Sequence, residues 1–311
     1  MKLACVFPGQ GSQAVGMLGD FLQVPAVASA LQAADRLLPQ PPLSRLIAEG
    51  PADALALTVN TQPAMLLAGY GCYQAWLNAG GPAADMVAGH SLGEYTALVA
   101  ADVLDIETAL PLTRLRAQAM QGAVPVGVGS MAAILGLDDA TVIDVCERAS
   151  SDSERVNAAN FNAPAQVVVA GHAPAVARAC ELAKAAGAKR ALPLAVSAPF
   201  HSPLLEPAGV ELGRALEAIE LRAPKVPLVN NVDVATETAP ARIRDSLVRQ
   251  AYHPVRWVEV VRRLREMGAT HLIEFGPGKV LTGLTGRIEK ELTAACVFDQ
   301  ASLEKALALL A

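Results

Sequence analysis

Short, predominantly apolar runs bounded by glycine or proline recur along this chain and alternate with longer stretches of helical character. The runs are Leu3 to Phe7, Met86 to Ala88, Val226 to Val229 and His271 to Phe275. Strands this short and this apolar must be covered on both faces, which predicts a buried parallel sheet flanked by helices. The helices are expected over Pro63 to Leu77, with Thr61 or Gln62 before the proline, over Pro203 to Ile219, and over Val255 to Met267, closed by Gly268. With 311 residues, 52% of them hydrophobic, the chain can bury a large core as one domain with an insertion or as two unequal domains. No internal repeat or low-complexity segment interrupts it.

The rhythm changes between about residues 127 and 196. Met131 to Leu137 reads as strand, Asp139 to Ala149 as helix, Val156 to Asn160 and Gln166 to Ala170 as strands, Ala173 to Ala186 as helix and Arg190 to Val196 as strand. Strand, helix, strand, strand, helix, strand is the split ferredoxin-like unit. The expected organisation is therefore a large domain in two parts, residues 1–126 and 197–311, with a small ferredoxin-like (βαββαβ) subdomain inserted over 127–196. Turn-rich Gly122 to Gly129 and Ser197 to Pro199 would be its hinges. A site built from residues on either side of the insertion would lie in a cleft between the two.

Charge and cysteine usage narrow the classes of function. The net charge is -5, and no Lys/Arg block or basic-aromatic stripe is present, so nucleic-acid binding has no electrostatic footprint. Local basic clusters, Arg178 with Lys184, Lys189 and Arg190, and Arg262 with Arg263 and Arg265, read first as solvated helix faces. The uncharged stretch between Asp53 and Asp85 carries Asn60, Gln62, Pro63 and several glycines, unlike a membrane span. Five apolar residues between Lys2 and Pro8 are too few for a secretory signal, so a cytoplasmic location is expected. The five cysteines form no C-x-x-C pair and no metal spacing, as expected of reduced, buried thiols, and no metal is implied.

Gly89-His90-Ser91-Leu92-Gly93 follows an apolar run and precedes the helical stretch Glu94 to Ala101, a strand, sharp turn and helix. In such an elbow, glycine on both sides permits close packing and the serine oxygen is lifted clear of the sheet. Ser91 is thus a candidate nucleophile, and the Leu92 amide would face a developing oxyanion at the helix start. Phe7-Pro8-Gly9-Gln10-Gly11-Ser12-Gln13 is a glycine-rich loop directly after the first strand, where open α/β sheets place ligand contacts. It matches neither dinucleotide nor P-loop fingerprints, and its Gln10 amide could be a second oxyanion donor. A serine needs a base, and His201, in the rigid loop Ser197 to Pro203, competes with His253 for that role on position alone. No Asp or Glu between Ser91 and His201 stands out at a strand end to orient an imidazole, so either another group does so or the pair is incomplete. Arg116 falls beside an apolar stripe of a helix from Glu107 to Gln121, one turn from Leu112 and Met120. There it needs an anion, either an internal carboxylate or a substrate carboxylate held bidentately.

Taken together, these segments resemble the malonyl-CoA:acyl carrier protein transacylases and the acyltransferase domains of polyketide synthases. The resemblance runs nearly end to end. It rests on the loop Phe7 to Gln13, the elbow Gly89 to Tyr95, the Arg116 helix, Asn162-Ala163-Pro164 with Gln166 to Gly171, Phe200-His201-Ser202, Asn230-Asn231-Val232, Arg249-Gln250, and Gly276 to Leu281. It implies an α/β-hydrolase-like large domain with the ferredoxin-like insertion. By the same resemblance Ser91 is the acyl acceptor, His201 its base and acid, and the amides of Gln10 and Leu92 the oxyanion hole. Arg116 would hold the malonyl carboxylate, and the carbonyl of Gln250 would orient His201 in place of an Asp. The implied reaction moves malonyl from malonyl-CoA to the phosphopantetheine thiol of acyl carrier protein, with no bound cofactor, and a monomer is expected. Phe200 and Met120 would crowd an α-methyl group and so disfavour methylmalonyl-CoA.

Overall fold

The computed structural model describes residues 1–310. Its strands are β1 (Leu3–Phe7), β2 (Met86–Gly89), β3 (Gly129–Leu135), β4 (Val156–Ala163), β5 (Gln166–His172), β6 (Arg190–Pro193), β7 (Leu228–Val229), β8 (His271–Phe275) and β9 (Thr293–Val297). They form two sheets. The larger has the order β7-β2-β1-β8-β9, and every pairing in it is parallel. Alternation along β1 feeds two cores, because successive side chains point to opposite faces. Leu3, Cys5 and Phe7 pack with the helices Pro25–Leu37 and Thr58–Asn78, whereas Ala4 and Val6 pack with Trp257, Val260, Val261 and Leu264 of the helix Trp257–Glu266.

The smaller sheet, order β4-β5-β3-β6, is antiparallel throughout. This is the strand order of the expected split unit. One face packs on the helices Asp139–Ala149 and Ala173–Ala185. From the other face Met131, Val168 and Ala170 meet Met120, Ala198, Phe200 and Leu205, so this face closes over the chain that returns to the larger sheet. Backbone bonds from Phe161 N to Val255 O, 2.9 Å, and from Val255 N to Ala159 O, 2.9 Å, tie β4 to the segment before the Trp257 helix.

Several elements differ from their sequence-based bounds, each for a local reason. The helix expected to begin at Pro63 runs over Thr58–Asn78, with the proline inside it. Proline leaves the carbonyl four residues back without its amide, and that carbonyl, Val59 O, accepts instead from Arg114 Nη1 at 2.9 Å. The strand expected over Val226 to Val229 shrinks to β7, since Pro227 has no amide to give. Pro203–Leu205 is a separate 3₁₀ turn, and the following helix, Glu206–Glu217, starts afresh with Pro207 in its first turn. β9 has no counterpart among the expected strands. It is a partly exposed edge, and its Thr-Ala-Ala-Cys-Val lacks the apolar bulk of the inner strands.

Candidate active site

The carboxyl ends of β1 and β2 lie side by side, with Phe7 paired to Gly89, so the glycine-rich loop and the elbow emerge together. The elbow is forced by close packing. A Cβ on Gly89 would sit 1.9 Å from Gly93 C, and one on Gly93 would sit 2.0 Å from Phe7 O. No side chain fits at either position. Ser91 between them has φ 53°, a left-handed conformation that costs a non-glycine residue roughly 1–3 kcal/mol. Its own backbone groups hold it there. Ser91 N donates to Asn231 Oδ1 at 2.7 Å, while Ser91 O accepts from Glu94 N at 3.1 Å and from Gln250 Nε2 at 2.8 Å. Asn231 Nδ2 in turn donates to Gly89 O at 2.7 Å.

His201 also has a positive φ, 61°, and is buried. Its Nδ1 lies 2.8 Å from Gln250 O and its Nε2 lies 2.7 Å from Ser91 Oγ. A carbonyl only accepts, so Nδ1 carries the proton and Nε2 is left as the acceptor for the serine hydroxyl. That carbonyl belongs to the last residue of the helix Pro240–Gln250, at the negative end of its dipole. Burial, reinforced by the nearby Arg116 charge, lowers the His201 pKa to about 3. The imidazole is therefore a neutral base at physiological pH. His253, the other candidate on sequence, bonds Arg249 O at 3.1 Å and makes no hydrogen bond with Ser91.

Arg116, on the helix Ile106–Gly122, is 2% exposed. Nη1 donates to Gln62 Oε1 at 2.7 Å, and Nη2 to Gln250 Oε1 at 2.8 Å and to Ser91 Oγ at 3.3 Å. Its guanidinium carbon stands 5.3 Å from the centre of the Tyr95 ring. Among the described residues no carboxylate forms an ion pair with it, and Nε has no partner. Of the two anions that the sequence left open, the internal one makes no direct pair, since the nearby Glu94 carboxyl reaches Arg116 only through the Gln250 amide. A buried cation held by two neutral amides is costly unless an anion from outside completes it.

A cavity of about 190 Å³ collects these groups. Gln10, Leu92, Ser91, His201 and Arg116 line it together with Met120 and Phe200, and Met131, Val168, Leu194 and Val196 close it from the side of the smaller sheet. The amides of Gln10 and Leu92 make no hydrogen bond to another group among the described residues. Two free amides, a serine on a base and a cation in one enclosed space can stabilise a tetrahedral oxyanion and hold an anionic acyl chain. The residues expected from the sequence meet in this cavity, the Gln250 carbonyl among them, while Gln62, Asn231 and Glu94 support them without having been assigned a role. Gln62 stands among Thr58, Asn60 and Thr61 at the polar start of its helix, where nothing in the spacing sets it apart. His90 turns away from the serine, with Nε2 2.8 Å from Asn162 Oδ1 and its ring edge-on to Trp257.

The acyl transferase domain family model matches residues 4–296. The chain belongs to that family. It is 50% identical over 309 residues to the malonyl CoA-acyl carrier protein transacylase of Escherichia coli strain K12, covering 99% of each chain. Among solved structures, an acyl-carrier-protein S-malonyltransferase from Burkholderia pseudomallei 1710b superimposes with a TM-score of 0.96 at 60% identity, covering 99% of this chain and 100% of that one. A malonyl-transacylase solved in complex with its type II polyketide acyl-carrier protein gives a TM-score of 0.96 at 48% identity, again covering 99% and 100%.

Proposed function

We propose that this acyl transferase moves the malonyl group from malonyl-CoA to the phosphopantetheine thiol of acyl carrier protein, supplying fatty acid elongation, by way of a malonyl ester on Ser91. The names of full-length relatives at this identity support the activity. The observation that carries the choice of acyl group is the buried Arg116 guanidinium, 3.3 Å from Ser91 Oγ and without a carboxylate partner.

In the first half-reaction His201 Nε2 takes the Ser91 proton as Oγ attacks the thioester carbonyl. The amides of Gln10 and Leu92 receive the oxyanion, and the imidazolium returns its proton to the departing thiolate of CoA. The pantetheine thiol of the carrier then gives its proton to His201, attacks the ester carbonyl and takes the malonyl group, and Ser91 Oγ recovers the proton. Arg116 binds the free carboxylate throughout, so the acyl chain is fixed relative to the attacking atom. Buried Met120 and Phe200 set the width of the pocket. No step requires a metal or redox group. A cytoplasmic location and a monomeric state complete this reading, and no helix among the described residues is long and apolar enough to cross a membrane.

Loss of the charge-assisted pair should cost about 2–4 kcal/mol of transition-state binding. Arg116→Ala is therefore expected to lower kcat/KM for malonyl-CoA roughly 30- to 900-fold while acetyl-CoA loses little or gains. Equal losses on both thioesters would remove the reason for assigning the carboxylate to Arg116.

A further inference from the structure

We infer that Glu94 is a positioning residue that locks the Gln250 side-chain amide in one orientation and thereby aims Arg116 at the acyl carboxylate. This rests on the reading of Ser91 and Arg116 given above.

Glu94 lies in the first turn of the helix Gly93–Ala100 and is 1% exposed. Its Oε2 accepts from Gln250 Nε2 at 3.0 Å and from Asn231 N at 3.0 Å. These two partners hold the elbow, since Asn231 binds Ser91 N and Gln250 binds Ser91 O. The other end of the Gln250 amide, Oε1, accepts from Arg116 Nη2. The two ends of an amide have nearly the same shape, so its orientation is decided by its partners. Flipped, Gln250 would set its oxygen against Ser91 O and the Glu94 carboxylate, and its NH₂ against the guanidinium. All three contacts would then be lost.

Of the groups facing that amide, Glu94 alone touches neither the nucleophile's side chain nor the acyl pocket. It is also the one whose accepting character a proton can change. The charged and titratable groups around it are Arg116 from the helix Ile106–Gly122, Asp233 from the loop after β7, and Tyr95 on its own helix. Burial raises its pKa to about 7, opposed by the donors Gln250 and Asn231. Ionised, the carboxyl can only accept, and the amide is locked. Protonated, it can donate to a flipped Gln250, which sets an NH₂ against Arg116 and loosens the clamp. Glu94 makes no direct ion pair with Arg116 among the described residues, so the guanidinium keeps its charge for the ligand.

The test is the ratio of kcat/KM for malonyl-CoA to that for acetyl-CoA in acylation of Ser91, in which effects of His201 common to both thioesters cancel. E94Q, whose amide no longer dictates the orientation of its neighbour, is expected to lower this ratio about tenfold, mostly through the malonyl KM. In the wild type the ratio should fall as the pH is taken from about 8.5 to about 5.5, and in E94Q that dependence should vanish. A folded E94Q that keeps the ratio within about twofold, or that loses both activities equally, overturns the inference. If E94Q does not fold, a wild-type ratio that is flat over the same pH range overturns it as well. Wild-type protein that takes no acyl group on Ser91 would instead overturn the underlying function, a separate result.

Discussion

Neutral His201 and charged Arg116, both buried, define what this site does at the scale of single residues. The His201 pKa is depressed to about 3, so the base form is present throughout the neutral range and into mild acid. Acylation by acetyl-CoA, which does not engage Arg116, should show no acid limb near the ordinary imidazole value of about 6.5 in a kcat/KM profile. A limb there that persists in E94Q would mean that the imidazole is solvated and not held as described. Phe200 and Met120 make a steric prediction. Phe200→Ala should raise methylmalonyl-CoA turnover relative to malonyl-CoA, and an unchanged ratio in a direct competition assay would contradict it. Ser91, His201 and Arg116, which meet in the cavity, were legible in the sequence because their types and loops are distinctive. Of their supports only the Gln250 carbonyl was, and that through the resemblance. Gln62, Asn231 and the side chain of Glu94 act across 54, 140 and 156 residues of chain, and spacing carries no sign of such contacts.

At the scale of elements the elbow is the most constrained piece of the chain. The Gly93 Cα lies where any Cβ would meet the Phe7 carbonyl of β1, which cannot move without breaking its ladder with β2. Gly93→Ala should therefore cost about 3 kcal/mol or more, read as a fall in the urea midpoint or as failure to fold. A variant as stable as wild type would show that the elbow can relax. The inner strands β1, β2 and β8 were legible because full burial makes them continuously apolar. β9 was not, since an edge strand of small residues has no such signature. The helix around Pro63 shows the limit of punctuation, because a proline reads as a boundary unless another side chain satisfies the carbonyl that it orphans, as Arg114 does here.

At the scale of the whole molecule the site exists only because two sheets meet. Ser91 and the free amides of Gln10 and Leu92 come from the carboxyl ends of parallel strands, while Met131 and Val168 of the smaller sheet close the same cavity. Burying titratable groups there has a consequence for stability. His201 and His90 have lowered pKa values, mainly through burial, so their contributions are fully present above about pH 6.5 and are lost as pH falls toward the folded values. Glu94, raised to about 7, has the opposite sign, its contribution being lost as pH rises through that value. Glu274, also raised mainly by burial, shares the sign of Glu94, so the buried imidazoles and the buried carboxyls oppose one another. The central claim, a malonyl group carried on Ser91 between two thiols, is open to one direct observation. Intact-protein mass spectrometry after brief exposure to malonyl-CoA should show one malonyl adduct, absent in Ser91→Ala and discharged onto holo acyl carrier protein when that is added. An adduct lost only to water, or one that persists in Ser91→Ala, would contradict it.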